Sequence, residues 1–129
     1  MAERYHKRFF DAVPLPEGTT FESLTDMVCG FNVAGPKSRE LLQRLTNASL
    51  DTVDFPFMRS ARIDLGGVAC VAIRVSFTGD LGWELHCAAE DQARLYAALL
   101  AAGRELGAGP VGSRALMSLR IEKGYGSWS

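Results

Sequence analysis

Cysteine is scarce in this sequence: three in 129 residues, Cys29, Cys70 and Cys87. An odd number at such wide spacing builds no disulfide framework, and each lies in a strand-like stretch. They read as small buried apolar residues of a reducing compartment. Histidine is scarcer, His6 and His86 alone. Neither has a partner at ligand spacing, so no metal centre is expected. No sign of charge dominates, with 14 basic residues scattered among 15 acidic ones. That excludes the basic stripe that nucleic acid or an anionic membrane surface requires. The longest apolar run, residues 95–102, is too short to span a bilayer. The first ten residues include an acid and no apolar h-region, which argues against a secretory signal and for the cytoplasm. Gly107-Ala108-Gly109-Pro110-Val111-Gly112 has the G-x-G-x-x-G spacing, but it follows a helix-patterned run and not a strand, so it is no dinucleotide fingerprint; no internal repeat or low-complexity tract occurs.

What is there is ordinary globular chain. The 47% hydrophobic and 22% charged composition suits one domain with a real core. Residues 1–23 carry aromatics without period and then Pro14 and Pro16, which predicts an extended N-terminal arm. The domain proper is expected over residues 24–129. Asp26 to Ala34 predicts a strand ended by Gly35-Pro36, with Pro36 suited to a helix start. Lys37 to Leu45 predicts a helix with Leu41, Leu42 and Leu45 on one face. Phe55-Pro56-Phe57 reads as a loop with two exposed or docked aromatics.

Met58–Leu65 and Val68–Phe77 flank Gly66-Gly67, a hairpin signal. The first arm alternates and the second is apolar on both faces, as in a central strand. A helix follows from Glu90 to Leu106, then a second from Ser113, as its cap, to Lys123, with Gly124 at its C-terminal end. The chain closes on an aromatic, glycine-rich run, Tyr125 to Ser129, with no further element. The order is β-α-β-β-β-α-α. It predicts an α+β domain, a mostly antiparallel sheet with helices packed on one side.

The stretch from Ser76 to His86 organises the rest. Thr78-Gly79-Asp80-Leu81-Gly82 is a two-glycine turn, and Trp83 to Cys87 resumes an extended pattern. Alternation sends Trp83 and Leu85 to one face and Glu84 and His86 to the other. Two readings of the carboxylate stand. Its oxygens can take two parallel hydrogen bonds from a planar donor–donor edge, or it is a solvated acid on an edge strand.

Three blocks carry a resemblance. They are Val33-Ala34-Gly35-Pro36-Lys37-Ser38-Arg39, Val75 to Leu85 with its Gly82-Trp83-Glu84-Leu85 core, and Arg114 to Tyr125 with Glu122-Lys123-Gly124-Tyr125 at its end. In order and spacing the chain resembles the folate-binding aminomethyltransferase family from about residue 24 onward. That family includes the glycine cleavage system T-protein and the folate-binding C-terminal regions of dimethylglycine and sarcosine dehydrogenases. Gly82-Trp83-Glu84-Leu85 and Glu122-Lys123-Gly124-Tyr125 are more similar to the dehydrogenase branch.

The resemblance implies a tetrahydrofolate partner and transfer of a one-carbon unit from a small amine. It implies that Glu84 receives the pterin N3–H and 2-amino edge, with Phe77, Trp83 and Arg114 as the other folate-contact residues. Phe77 stands where the family commonly has Tyr, so the ring is kept and the hydroxyl lost. Leu116 and Met117 occupy the positions where the T-protein branch has its Arg. Arg114 lies two residues earlier on another helix face, and Arg114 and Arg120 read equally as surface charge.

The family's essential Asp belongs to a segment upstream of the first block. Asp11 is the sole Asp among the first 23 residues and stands in no matching motif. No catalytic residue is therefore assigned. The chain reads as a portion of a larger three-lobed unit, inactive alone, with any FAD domain further upstream. Two other readings stand beside this one. One is a non-enzymatic folate-binding or assembly module related to iron–sulfur maintenance proteins, whose Lys-Gly-Cys-Tyr run is matched here only by Lys123-Gly124-Tyr125. The other is a structural domain that forms homo-oligomers through exposed apolar surface such as Phe9-Phe10 and the Phe55–Phe57 loop.

Overall fold

The structure, a computed structural model, describes residues 2–126. The closing Ser127-Trp128-Ser129 lies outside the described residues. The chain runs α1 (Ala2–Ala12), β1 (Val28–Ala34), α2 (Ser38–Gln43), β2 (Ser60–Leu65), β3 (Val68–Ile73), β4 (Gly82–Ala88), α3 (Gln92–Gly103) and α4 (Ser113–Glu122). The four strands form one fully antiparallel sheet in the order β1-β4-β3-β2. The fold is α+β.

Local chemistry explains the central hairpin. Gly66 and Gly67 both take positive φ, 64° and 84°, where a side chain would be strained. Leu65 then sits opposite Val68, and Ala61, Ile63 and Leu65 share a face with Val68, Cys70 and Ala72. β4 adds Trp83, Leu85 and Cys87 to that face, and β1 adds Cys29, Phe31 and Val33. Leu41 and Leu42 of α2 and Leu95 and Leu99 of α3 close over them, with Leu50 and Phe55 from the intervening loop. Helix α3 approaches α2 closely at Gly103, where a Cβ would lie 2.7 Å from Leu41.

Trp83 is the largest fully buried side chain, its ring edge-on to Phe55 at 5.0 Å between centroids. Burying such an indole contributes roughly 4–6 kcal/mol at about 25 cal/mol per Å².

Several expectations are corrected. Residues 2–12 form a helix, not an extended arm, since no Pro or Gly interrupts them before Pro14. Lys7 pairs with Asp11 at 2.7 Å and Tyr5 packs edge-on against Phe9, both one helical turn apart. Glu3 accepts hydrogen bonds from the Ser23 and Thr25 hydroxyls, tying α1 to the approach to β1. Ser113 is the first helical residue of α4 and caps nothing. Gly112 holds that position with extended backbone.

Of the two aromatics in the Phe55–Phe57 loop only Phe57 is exposed, because Phe55 is packed against Trp83. β3 stops at Ile73, after which Arg74 pairs with Arg59 and Met58 through the backbone alone. Among the described residues no helix is long and apolar enough to cross a membrane.

Candidate functional site

The faces of β4 are chemically opposite. Trp83, Leu85 and Cys87 are buried under the helices, while Glu84 and His86 project from the other side. On that second face the register sets neighbours that sequence order does not. Asn32 of β1 lies directly opposite Glu84, and Ile73 of β3 flanks it on the other side. His86 lies between Gly30 and Val71 in the same way. The result is a small polar patch of Asn32, Glu84 and His86 against an apolar floor of Val71 and Ile73.

Glu84 and His86 are each 40% exposed, with 3.8 Å between Oε2 and Nε2. Among the described residues the Glu84 carboxylate accepts no hydrogen bond. Both oxygens are therefore available to a planar edge that offers two donors.

The turn before β4 is held from three sides. The Gly79 N–H donates to Ser76 Oγ at 3.1 Å, and Gly79 takes φ 93°. A Cβ at Gly82 would lie 2.7 Å from the Ser76 Cβ and 2.8 Å from the Val75 carbonyl oxygen, so only glycine passes there. The Leu81 carbonyl accepts from the Gly35 N–H at 2.9 Å and from the buried Ser38 hydroxyl at 2.8 Å, which pins the start of α2 to this turn. Lys123, beyond α4, donates through Nζ to the Ser76 carbonyl at 2.5 Å. These contacts explain why three blocks far apart in the chain belong together.

Beside the turn lies a concavity of about 330 Å³, lined by Phe57, Arg74, Ser76, Asp80, Gly82 and Lys123 among others. A second, of about 500 Å³, lies between the end of α2 and β2. Glu84 lines neither.

Among the described residues no side-chain hydrogen bond, ion pair or aromatic contact joins the four residues proposed for folate contact. Glu84 stands on the open face. Phe77 is 38% exposed in the loop before the turn. Trp83 is corrected outright: it is 1% exposed in the core on the face away from Glu84, and its role here is packing. Arg114 is exposed near the start of α4, roughly 13 Å along the helix axis from Lys123. Its side chain makes no hydrogen bond or ion pair among the described residues. Sequence reasoning assigns no role to Asn32 or His86, although it places His86 on the Glu84 face. His86 is reachable from the period-two pattern, since it shares the face of Glu84. Asn32 needs the strand register.

Comparison with known proteins follows this geometry. Residues 2–129 match the GCVT N-terminal domain. The chain belongs to that family. It is 40% identical to the mitochondrial dimethylglycine dehydrogenase of Mus musculus over 107 residues, 83% of this chain and 12% of the relative. It is 42% identical to the mitochondrial sarcosine dehydrogenase of the same species over 98 residues, 76% of this chain and 11% of the relative. It is also 36% identical to the aminomethyltransferase of Anoxybacillus flavithermus over 100 residues, 78% and 27% of the two. The chain thus spans about an eighth of the dehydrogenases it matches.

The heterotetrameric sarcosine oxidase of Corynebacterium sp. U-96 shares the fold. Its TM-score is 0.59 and its identity 21%, over 69% of this chain and 44% of that one. Within the GCVT family, then, this chain is aminomethyltransferase-like, and its antiparallel sheet with one helix-covered face belongs to the fold it shares with that oxidase.

Proposed function

We propose that this chain forms the pterin-gripping part of a tetrahydrofolate-dependent aminomethyltransferase or a dimethylglycine or sarcosine dehydrogenase-type protein. Glu84 is the residue that does it. Its carboxylate receives the pterin N3–H and 2-amino group through two parallel hydrogen bonds, which fix the ring in its plane as well as bind it. Ile73 and Val71 give the ring an apolar floor, and Asn32 adds a donor and an acceptor at its rim. The one-carbon unit passes from a small amine to the pterin nitrogens. The acid that steadies that amine is supplied by sequence outside this span, and so is the wall that closes over the exposed face of the sheet.

The observation that carries this reading is the Glu84 carboxylate, which accepts no hydrogen bond among the described residues and has only His86 Nε2 nearby at 3.8 Å, held on a short strand fixed by a glycine-dependent turn. A solvated surface acid needs neither Gly82 nor the triple anchoring of Leu81 and Ser76. Calorimetric titration with 5-formyltetrahydrofolate tests it. Glu84→Gln keeps the size and one acceptor but loses the charge, and should weaken binding about tenfold, or about 1.4 kcal/mol. Equal affinity in the two proteins would make Glu84 a surface residue. No binding by either would remove the proposal for this chain.

A further inference from the structure

The strand register collects all three cysteines into one row. Cys29 of β1 is directly opposite Cys87 of β4, and one step beyond the β3–β4 pairs Cys70 flanks Cys87 on the other side. The Sγ atoms of Cys29 and Cys87 are 3.3 Å apart, though 58 residues separate them in sequence. Cys70 instead turns its Sγ to the Val68 carbonyl of its own strand at 3.4 Å. Among the described residues no three His, Cys, Asp or Glu side chains converge to hold a metal ion. Two thiols in contact across adjacent strands have a simpler chemistry open to them.

We propose that Cys29 and Cys87 are an oxidisable pair that closes to an intrachain disulfide under peroxide-class oxidants, cross-linking the edge strand β1 to β4.

The backbone allows it. Two residues before Cys29 the Ala89 N–H donates to the Met27 carbonyl, so hydrogen-bonded pairs alternate along the ladder and Cys29–Cys87 is one of them. Such pairs hold their Cα atoms about 5.5 Å apart, inside the range of about 4.4–6.8 Å that a disulfide spans. Facing Cβ atoms of a hydrogen-bonded pair stand near the wide end of about 4.5–5.5 Å and a disulfide holds them at about 3.5–4.5 Å, so closing the sulfurs to about 2 Å draws β1 locally toward β4, a movement open to an edge strand.

Access sets the order of events. Cys29 is partly exposed on the edge strand, whereas Cys87 is buried. Burial, with the adjoining Cys29 thiol, pushes Cys87 up to about 12, so it is held as the thiol. Cys29, the sulfur that an oxidant can reach, therefore attacks first. The peroxide O–O bond breaks, one oxygen leaves as water or alcohol after taking a proton, and Cys29 becomes a sulfenic acid. The Cys87 sulfur then attacks the Cys29 sulfur. The S–O bond breaks, the S–S bond forms, and the Cys87 proton departs with the hydroxyl as water. Two thiols lose two electrons in all, and one peroxide is reduced.

The test is hydrogen peroxide treatment of the whole chain, a quench with N-ethylmaleimide, unfolding and peptide mapping. A Cys29–Cys87 linked peptide pair lighter by two hydrogens is expected, with Cys70 alkylated and the link reversed by a dithiol. Cys70→Ser should still cross-link, and Cys29→Ser should not. Three outcomes overturn the proposal: a link through Cys70, a link between chains, or Cys29 oxidised to sulfinic acid beside a free Cys87. Thiols left intact by peroxide in excess would do so too. Mapping of the unaltered chain decides among these without any variant.

Discussion

The imidazole of His86 fills the space that a side chain on Gly30 would need: a Cβ there would lie 3.3 Å from Nδ1 and 3.5 Å from Cε1. Gly30 does not have positive φ, so what presses on this position is the ring across the strand and not its own backbone. The same ring stands 3.8 Å from Glu84.

Gly30→Ala should therefore displace the His86 ring by a few tenths of an ångström while costing little, since a strand glycine is already about 0.5–1 kcal/mol worse than alanine. The His86 ring resonances should move in NMR spectra. In a His86→Ala background the same change should become stabilising. Equal effects in the two backgrounds would show that the residues do not meet.

The turn before β4 gives a sharper expectation. Gly82→Ala puts a methyl within 2.8 Å of the Val75 carbonyl oxygen, a backbone atom that cannot rotate away. A loss of about 1–3 kcal/mol is expected in urea unfolding, the range for overpacking a tight site. Gly109 has open space around it and no positive φ. Gly109→Ala should stay within about 0.5 kcal/mol, as surface changes do. If the two variants unfold alike, the turn is looser than these contacts require.

Acid should release α1 before it unfolds the sheet. Hydrogen bonds from Ser23 and then Thr25 hold the Glu3 carboxyl below its ordinary value of 4.5. A lowered carboxyl stabilises the docked helix above that value and stops doing so as the pH falls through the native titration. Limited proteolysis around residues 13–22 should accelerate between about pH 5 and pH 3, with the core strands still protected. In Glu3→Gln that acceleration should disappear. A pH-independent cleavage rate in the unaltered chain would show that Glu3 does not hold α1.

Much of this was legible in the residues because it is local. Gly66-Gly67 could only be a turn between two apolar runs, and a period of two had to part Glu84 from Trp83. The helix expected from Glu90 to Leu106 is α3, although both ends of that span, Ala89–Asp91 and Arg104–Leu106, are short 3₁₀ turns. Where local reasoning failed, it weighed one signal too heavily. The prolines at 14 and 16 are extended backward over residues that pair within their own helix, and the resemblance names Trp83 as a folate contact although alternation puts it on the face opposite Glu84.

The sequence by itself determined which face each residue of a strand takes, where the turns fall and which family the three blocks resemble, because alternation, φ preference and motif spacing are properties of neighbours along the chain. Only the tertiary structure decided that Asn32 stands beside Glu84, that Gly30 makes room for His86 and that Cys29 touches Cys87. Those meetings depend on which strands pair and in what register. That choice is made by burying one whole apolar face at once, and no short window of sequence contains it.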